Sequence, residues 1–395
     1  MTTLDRDFDI IIVGAGMVGA ALASALGQQG WRVALVDRAA PQMAWPEQGY
    51  DPRVSAITHA SQHLFASLGA WSLMQQQRIS AYREMHVWDA SGNGVIHFDA
   101  AELGEADLGH IIENRVIIKA LHQTLEACSS VETVWPVQAV SLVNDTHEVR
   151  LLLQDGQTLH APLIVGADGS RSWLRQQAGI SVKGWDYDHT AVVTTVKPQH
   201  FHQETAWQRF LTSGPVAFLP LGDGMCSIVW STSAPHARQL VEMDDGRFAV
   251  ELQAAIDNRL GKIEAVDSRQ AFPLRFFETE HYVQPRVALV GDAAHSIHPL
   301  AGQGVNLGLS DVAALVSVLG DTREAKKDPG SSIPLRRYER WRRADNRGML
   351  LAMDGFKRLF SNPTPLVRWA RNTGLNLTDR MPIIKNLLMQ RALGH

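Results

Sequence analysis

The first forty residues constrain the fold more than any other part of the chain. An apolar, β-branched run over residues 8–13 predicts a buried strand, and an alanine-rich stretch up to about Gln29 predicts a helix. A second apolar run over residues 32–36 ends at Asp37. Between the first strand and the helix stand three glycines at the spacing Gly-x-Gly-x-x-Gly: Gly14, Gly16 and Gly19. This order of elements is typical of a Rossmann-like unit that binds a dinucleotide.

The three glycines have separate tasks in such a unit. Gly14 permits the tight turn, Gly16 lets the backbone approach a pyrophosphate, and Gly19 lets the helix pack against the strand. The helix N-terminus would hold the phosphate, and Asp37 would accept hydrogen bonds from the adenosine ribose. NAD and FAD both use this unit, so these residues alone leave the choice between the two cofactors open.

A second informative stretch begins at residue 287. Residues 287–290 predict a buried strand, and Asp292 follows at its carboxyl end. After a loop, a helix is predicted to begin near Val305. Three glycines in the loop and the helix let backbone N–H groups approach a ligand closely: Gly302, Gly304 and Gly308.

The loop before that helix is too elaborate for a simple connection. A strand-to-helix turn needs only about two to six residues. It gains nothing from His298, Pro299 or Gln303. We therefore expect the loop to contact a ligand, with a tight strand-to-helix connection as the alternative.

The segment from His298 to Asp311 carries a family resemblance. Its sequence, His-Pro-Leu-Ala-Gly-Gln-Gly-Val-Asn-Leu-Gly-Leu-Ser-Asp, resembles the signature of the ubiquinone-biosynthesis hydroxylases, a branch of the class A flavoprotein monooxygenases. The resemblance extends to the N-terminal motif, the middle Gly-Ala-Asp-Gly and the C-terminal third. It implies FAD as the cofactor, with Asp292 on the ribityl chain and the loop beside the isoalloxazine ring.

The same resemblance suggests which residues surround the reaction. His298 and Pro299 would floor the site of oxygen transfer, and the alternative for His298 is a structural role. The backbone amides of Gly302, Gln303 and Gly304 would bind the flavin and stabilise charge at its pyrimidine end. The candidate catalytic residues are therefore His298, Pro299, Gly302 and Gln303.

Two further residues match the family pattern. Arg53 stands where the family has an Arg beside the FAD, and the alternative is a surface pair with Asp51. Asp168, with Arg171 after it, matches a motif described as serving both FAD and NAD(P)H. Asp168 is also expected to act as the N-cap of the helix that follows, which is compatible with a cofactor role.

Residues 109–125 have helical spacing and predict a helix. In the wider flavoprotein class an Arg that contacts the cofactor often aligns with Asn114. Arg115 is one residue away from that position. We therefore assign neither residue to the cofactor.

Strand signals elsewhere predict a second domain. Alternating apolar residues over 82–99 predict a hairpin, and strands predominate from residue 190 to residue 232. The expected fold is α/β (α+β overall), a Rossmann-like FAD-binding domain with an inserted antiparallel-sheet substrate domain and C-terminal helices. The expected boundaries are 1–80, 105–185 and 281–345 for the FAD-binding domain, 81–104 and 186–280 for the substrate domain, and 346–395 for the C-terminal helical region.

Composition excludes several classes of protein. A net charge of −4 argues against general nucleic-acid binding. The chain has 2 cysteines without metal-type spacing, so we expect neither a metal site nor disulfides, and a cytoplasmic location fits best. No apolar run long enough to span a bilayer is evident from the sequence.

Charge is nevertheless uneven along the chain. Residues 336–395 hold 13 Lys and Arg against 4 Asp and Glu. Such a basic tail indicates a surface that meets something anionic, here the inner face of a membrane or an acidic partner in a ubiquinone-biosynthesis complex. The alternative is a set of Arg-rich helices that are simply solvated. The oligomeric state stays open.

The function expected from the resemblance is FAD-dependent hydroxylation of a polyprenylated phenol. One oxygen from O2 would be transferred through a flavin C4a-hydroperoxide, with NAD(P)H as the reductant. Residues 108–114 and 227–230 look most like the branch that hydroxylates 2-polyprenylphenol at ring C5. The alternatives are another ring position, a flavin reductase for prenyl lipids, a non-catalytic FAD-containing assembly protein, and an enzyme that uses only NAD.

Overall fold

The structure is a computed structural model. It describes residues 5–46, 48–296, 304–361, 364–379, 381, 385–386 and 389. The α-helices of this part are, in chain order, α1 (Met17–Gln28), α2 (His59–Ser67), α3 (Ala70–Gln75), α4 (Asn114–Glu126), α5 (Trp173–Gln177), α6 (Ala234–Glu242), α7 (Asp245–Ala255), α8 (Gly304–Glu324), α9 (Ser332–Ser361) and α10 (Pro365–Asp379).

The described strands form four sheets. In chain order the strands are β1 (Asp5–Asp7), β2 (Ile10–Val13), β3 (Val33–Val36), β4 (Val54–Ile57), β5 (Ile79–Tyr82), β6 (Glu84–Asp89), β7 (Val95–Asp99), β8 (Gly109–Glu113), β9 (Val131–Val134), β10 (Ala139–Asn144), β11 (Val149–Leu153), β12 (Thr158–Ala161), β13 (Leu163–Gly166), β14 (Val182–Pro198), β15 (Thr205–Leu211), β16 (Gly214–Pro220), β17 (Cys226–Ser233), β18 (Ile263–Val266), β19 (Gln270–Thr279), β20 (Val283–Gln284), β21 (Val287–Leu289) and β22 (His295–Ser296).

The first domain is built on a six-stranded sheet in the order β20-β21-β13-β2-β3-β9. Its neighbouring strands are parallel except for β20 and β21. Strands β2, β3 and β13 are buried along their whole length, as expected where both faces of a parallel sheet are covered. Helix α1 packs on α4 and α8 beside this sheet. The Rossmann-like α/β unit predicted from the sequence is confirmed.

The second domain is built on a nine-stranded sheet. Its main path is β22-β19-β14-β17-β16-β15-β6-β7, and β18 pairs with β14 beside that path. The pairings are antiparallel except for β6 with β15, which is parallel. β6 and β15 are far apart in the chain, so no hairpin constrains this pair to be antiparallel. Two smaller sheets, β1-β12-β11-β10 and β4-β8-β5, flank the first domain.

Three local expectations differ from the structure. Residues 109–113 form β8 rather than the start of a helix, because this strand pairs with both β4 and β5 and Gly109 has a φ of +137°. Helix α6 was not predicted, since its short apolar pattern follows directly on β17. The domain boundary expected between residues 185 and 186 falls inside the 17-residue strand β14.

Helix α8 is long and apolar enough to span a membrane by length and composition, so the sequence-based expectation that no such segment exists is wrong. Its surroundings indicate a core helix instead. It packs on α1, α2 and α9, and half of its apolar window is buried inside the protein. It also carries the buried polar side chains of Asn306 and Asp311, both of which have protein partners.

Helix α10 covers the edge of the nine-stranded sheet at β7. Three of its side chains, spaced along one face, accept hydrogen bonds from backbone N–H groups of β7 and the turn before it. The pairs are Asn372 with Gly94 at 2.7 Å, Asn376 with Val95 at 3.0 Å and Asp379 with His97 at 3.0 Å. An edge strand leaves such groups unpaired, so the side chains of α10 replace a missing neighbouring strand.

Candidate functional site

The glycine turn joins β2 to α1 and lies against the end of β13. Gly14 has a φ of +107°, and a Cβ there would lie 2.4 Å from the Ala167 carbonyl oxygen. A Cβ at Gly19 would lie 1.8 Å from the Gly14 carbonyl oxygen. Among the residues that the structure describes, none lies within 4 Å of where a Cβ at Gly16 would stand, and no side chain caps this start of α1. Gly14 and Gly19 therefore serve packing, whereas Gly16 leaves room for a ligand at the helix N-terminus.

Asp37 follows β3 beside the same turn. Its Oδ2 accepts a hydrogen bond from the backbone N–H of Ala15 at 2.7 Å, and its Oδ1 accepts one from Ala39 at 3.0 Å. Each carboxylate oxygen can accept a further bond. The side chain thus helps to hold the turn and keeps capacity for the ribose hydroxyls, a contact that stays a prediction.

His122 of α4 supports the turn from another side, and the sequence analysis did not identify it. Its Nε2 donates to the Ala15 carbonyl oxygen at 2.9 Å, and the side chain is buried. Burial lowers the pKa of His122, so the ring is neutral at pH 7. A lone histidine on the apolar face of a helix gives no signal of this role, because such histidines are usually core residues.

Asp168 lies between β13 and α5. The N-cap of α5 is Ser172, whose Oγ accepts from the Arg175 backbone N–H at 3.0 Å, so the prediction that Asp168 is the N-cap is wrong. Asp168 Oδ2 accepts instead from the Leu174 backbone N–H at 3.1 Å. Its Oδ1 is buried and has no hydrogen-bond partner among the described residues. A buried acceptor without a hydrogen bond costs free energy, so this oxygen indicates a donor from outside the chain.

Arg175 ties three segments of the site together. Its Nη1 donates to the Ala293 carbonyl oxygen at 2.9 Å and its Nη2 to that of Ser170 at 2.8 Å. Its guanidinium also lies 4.9 Å from the centroid of the Phe277 ring. The turn that carries Asp168 is therefore fixed relative to the turn after β21. The neighbouring Arg171 is exposed.

Asp292 lies in a single 3₁₀ turn, Gly291–Ala293, directly after β21. Its side chain is exposed to solvent, yet desolvation by the surrounding protein raises the pKa of the carboxyl group, with His295 and Arg53 opposing the rise. A group that is accessible and enclosed at once lies in the wall of a cleft. We expect this cleft to receive the ribityl chain.

Arg53 approaches Asp292 from the segment before β4. Its guanidinium is exposed and lies 5.5 Å from the centroid of the Phe272 ring in β19. Asp51 accepts a hydrogen bond from the backbone N–H of Arg53 at 2.7 Å. The guanidinium is thus directed at the junction of the two domains, where the family resemblance places the cofactor.

Helix α8 begins beside the Asp292 turn. A Cβ at Gly308 would lie 2.7 Å from Val18 Cγ2 and 3.1 Å from Gly291 Cα, so α1, α8 and this turn meet closely. No atom of the described residues lies within 4 Å of where a Cβ at Gly304 would stand. Four predicted site residues lie outside the described residues, and their roles stay predictions: His298, Pro299, Gly302 and Gln303.

A buried ionic network lies behind Asp292. His295 Nε2 is 2.6 Å from Asp311 Oδ2, and Arg342 Nε is 2.7 Å from Asp311 Oδ1. The three side chains are 3%, 0% and 5% exposed. None of these three residues was predicted to have a role in the site, although Asp311 ends the segment 298–311 that carries the family resemblance.

Asn114 and Arg115 both have protein partners. Asn114 Oδ1 accepts from Ser55 Oγ at 2.7 Å. Arg115 Nη2 lies 2.6 Å from Glu113 Oε2, and the Glu113 side chain is 1% exposed. These contacts account for both residues without a cofactor. Within the described part of the chain, no group of His, Cys, Asp and Glu side chains is placed to hold a metal ion.

The site as a whole fits FAD. Asp37, Asp168 and Asp292 follow β3, β13 and β21, whose carboxyl ends meet at one edge of the parallel sheet, which is where open α/β sheets bind ligands. No described residue fills the space beside Gly16, and Asp168 offers a buried acceptor. The FAD binding domain family matches residues 7–349 of the chain. The chain belongs to this family. The alternative of an enzyme that uses only NAD is therefore wrong.

Curated relatives narrow the family. The chain is 41% identical to 3-demethoxyubiquinol 3-hydroxylase of Escherichia coli (strain K12) over 98% of each chain. It is 38% identical to the mitochondrial ubiquinone biosynthesis monooxygenase COQ6 of Mus musculus, over 99% of this chain and 92% of that one. It is 37% identical to ubiquinone hydroxylase UbiL of Rhodospirillum rubrum, over 99% and 90%. The resemblance to the ubiquinone-biosynthesis hydroxylases is confirmed, and the chain is an FAD-dependent monooxygenase.

Solved structures support the fold. p-Nitrophenol 4-monooxygenase PnpA from Pseudomonas putida DLL-E4 superposes with a TM-score of 0.80 at 17% identity, over 98% of both chains. PqsL from P. aeruginosa, in complex with 2-aminobenzoylacetate, gives a TM-score of 0.77 at 22% identity, over 94% of this chain and 99% of that one. At these identities the likeness establishes the fold alone.

Proposed function

We propose that the protein hydroxylates the aromatic ring of a polyprenylated phenol in ubiquinone biosynthesis, using O2 and NAD(P)H. The observation that carries this proposal is the meeting of Asp37, Asp168 and Asp292 at one sheet edge beside open space. It occurs in a chain similar along its whole length to enzymes named ubiquinone-biosynthesis hydroxylases.

FAD, when bound, supplies the electron transfer and the activation of O2. The chain itself has to bind, orient and exclude water. The three acids would accept hydrogen bonds from polar groups of the cofactor, and backbone N–H groups at the N-terminus of α1 would donate to its phosphates. Most residues of strands β16 and β17 in the second domain are buried, and these strands would form the wall that keeps water from the ring to be oxidised.

We propose hydroxylation at ring C5, on the pattern of residues 108–114 and 227–230. The geometry supports joint use of these segments, since Leu108 and Ile111 belong to the apolar cluster against which Val229 packs. A second candidate is the ring position named for the Escherichia coli relative, a 3-hydroxylase of 3-demethoxyubiquinol at 41% identity.

Deletion of the gene distinguishes the two positions. We expect the deletion strain to accumulate the 2-polyprenylphenol if C5 is the site, and the 3-demethoxyubiquinol if the second candidate holds. Plasmid-borne parental protein should restore ubiquinone, whereas the Gly16→Val variant, which fills the space beside the helix start, should not. A normal ubiquinone content in the deletion strain would contradict both positions.

Purified protein tests the reaction class. The product phenol formed under ¹⁸O2 should carry one labelled oxygen, and NADH and NADPH can be compared as donors in the same assay. Turnover of NAD(P)H without labelled product would favour a flavin reductase. Bound FAD without any substrate-dependent turnover would favour an assembly protein.

We also propose that the protein works in the cytoplasm with its basic tail against an anionic surface. Each Lys or Arg near an anionic membrane contributes about 1 kcal/mol. Replacing Arg358, Arg368 and Arg371 together by Gln should weaken binding to vesicles that contain anionic lipid and leave the FAD content unchanged. Equal vesicle binding by the parental and triple-variant proteins at low salt would show that the tail has a purely structural role.

A further inference from the structure

We propose that His295, Asp311 and Arg342 form a positioning network for FAD, which holds the Asp292 turn in place and sets a buried positive charge behind the Asp292 carboxylate. This inference rests on FAD binding and not on the identity of the substrate. None of the three residues would touch the reacting atoms, so their effect would pass through Asp292.

The first element of the network is the hydrogen bond between Asp311 and the backbone of the turn. Gly291 has a φ of +57°, a backbone conformation that side-chain-bearing residues rarely adopt. Its backbone N–H donates to Asp311 Oδ2 at 2.9 Å. A side chain of α8 therefore fixes the conformation of the residue immediately before Asp292.

The second element is His295, three residues after Asp292. It opens β22, which pairs with the end of β19 through the register of His295 with Glu278. Its Nε2 meets the same Asp311 Oδ2 that accepts from Gly291. One carboxylate oxygen thus binds the chain on both sides of Asp292 and clamps the turn at its two ends.

The third element is Arg342, which locks Asp311 from α9. Its Nε donates to Asp311 Oδ1 at 2.7 Å, its Nη1 to Asp345 Oδ2 at 2.8 Å and its Nη2 to Asn346 Oδ1 at 2.9 Å. Asn346 Nδ2 in turn donates to the Tyr282 hydroxyl at 3.2 Å. Because the guanidinium is held at three points, it cannot follow a shift of α8 without losing bonds.

Besides holding the turn through hydrogen bonds, the network carries charge. Burial by itself would raise the pKa of Asp311 and lower that of His295, but their contact reverses both directions and so favours the charged form of each group. The titratable and charged groups that face His295 are Asp311 of α8, Asp292 of the turn, Arg342 of α9 and Tyr282 before β20, whose ring centroid lies 5.6 Å from that of His295. Arg342 is shared between the carboxylates of Asp311 and Asp345, so the positive charge of the network that faces Asp292 is that of His295.

This charge has a definite pH dependence. The folded-state pKa of His295 is raised, so its positive charge is complete below the unfolded value and is lost as pH rises through the folded value. The pKa of Asp292 is also raised, so its negative charge is lost as pH falls through that pKa. FAD affinity should therefore fall on both sides of a maximum, with His295 responsible for the alkaline side.

The test is a titration of apoprotein with FAD, followed by flavin fluorescence over a series of pH values. His295→Gln keeps a donor for Asp311 and removes the titrating charge. We expect FAD affinity to fall about tenfold at neutral pH, within the usual range for coupled sites. The alkaline loss should disappear and the acid loss should remain. Arg342→Lys keeps a charge that does not titrate in this range but loses the three-point lock, so affinity should fall while the alkaline loss persists.

His236→Gln is the matched control. His236 bonds Thr232 at 2.9 Å and Glu251 at 2.8 Å in the second domain, so this variant also replaces a hydrogen-bonded histidine and should keep the parental FAD affinity and pH profile. A parental dissociation constant and pH profile in His295→Gln would overturn the inference, whatever happens to thermal stability. Should His295→Gln fail to fold, the parental profile decides, since the absence of an alkaline loss overturns the inference equally.

Discussion

The two large sheets keep their polar groups in different places. In the six-stranded sheet the strands β2, β3, β13 and β21 consist of apolar residues and glycine, and acidic groups stand at the carboxyl ends, where Asp37, Asp168 and Asp292 follow β3, β13 and β21. In the nine-stranded sheet buried hydroxyl groups lie within the strands, among them those of Thr195 and Ser227, which have no hydrogen-bond partner among the described residues.

In the parallel sheet, the residues that stabilise the fold and those expected to bind the ligand therefore lie at different positions. In the nine-stranded sheet, both kinds of residue would lie within the same strands. At the end of a parallel strand, a residue can be changed without touching the apolar layer beneath it. Within an antiparallel strand, a side chain that faces a pocket has core neighbours two residues away. Substitutions in the first domain should therefore divide cleanly into those that unfold and those that lose FAD.

The strongest test of that division is the pair Gly14→Val and Gly16→Ala. Gly14→Val should leave little folded protein, because a positive φ combines with a Cβ only 2.4 Å from a backbone oxygen, a cost of more than about 4 kcal/mol. Gly16→Ala should keep the thermal stability of the apoprotein, since its Cβ meets nothing within 4 Å, and should lose FAD affinity. Thermal unfolding and FAD content measure the two effects. If Gly16→Ala lost thermal stability together with FAD affinity, the proposed separation of stability from cofactor binding in the first domain would be wrong.

In the second domain, Phe218→Ala should act on stability alone. The side chain is 0% exposed in the apolar cluster of β16, and such a truncation costs about 3–5 kcal/mol. Chemical denaturation measures the loss, and the FAD content of the remaining folded protein should equal that of the parent. Selective loss of FAD from folded protein would show that the second domain controls the cofactor more directly than its sheet suggests.

Asp292→Ala should show the opposite pattern. The carboxyl group is exposed, so its removal should leave the apoprotein's unfolding free energy within about 0.5 kcal/mol of the parent. A lost hydrogen bond between a charged acceptor and the ribityl chain should weaken FAD binding by about 1.5–3 kcal/mol. Titration of apoprotein with FAD measures this, and a parental affinity would remove Asp292 from the cofactor site.

Two helix caps give the smallest and most closely matched contrast. Ser172 caps α5 beside Asp168, and Asp244 caps α7 in the second domain through the Arg247 backbone N–H. Replacing either residue by Ala should cost about 1 kcal/mol of stability. Only Ser172→Ala should also lower FAD affinity, because it loosens the turn that holds Asp168 Oδ1. Equal FAD affinity in both variants would place Asp168 outside the site.

The parts of the fold that the sequence predicted are those whose signals lie close together in the chain. The glycine turn, α1, β3 and Asp37 lie within thirty or so contiguous residues, so local spacing fixes them almost completely. The order of strands in the second domain was less accessible. The parallel pairing of β6 with β15 joins segments that share no local pattern.

The candidate site divides along the same line. Asp292 was predicted because it follows a recognisable strand, and Asp168 because it matches a motif of the family. His122 and the partners of Asp311 were not, since each acts through a contact across distant elements, such as that of His122 with the Ala15 carbonyl oxygen. The apolar periodicity predicted a helix over residues 109–113, but Gly109–Glu113 form a strand. Pairing with two neighbouring strands offers this segment more hydrogen bonds than one helical turn would.

The polar face of α10 has a consequence for how the chain can be shortened. Asn372, Asn376 and Asp379 occupy the backbone groups of β7 that another strand would otherwise seek. A protein cut before residue 372 would keep its glycine turn and its three acids, yet would carry a bare strand edge ready to recruit the same edge of a second molecule. Insolubility after C-terminal truncation would then arise from unprotected sheet edges in a folded protein. Adding a polar helix that covers this edge should restore solubility.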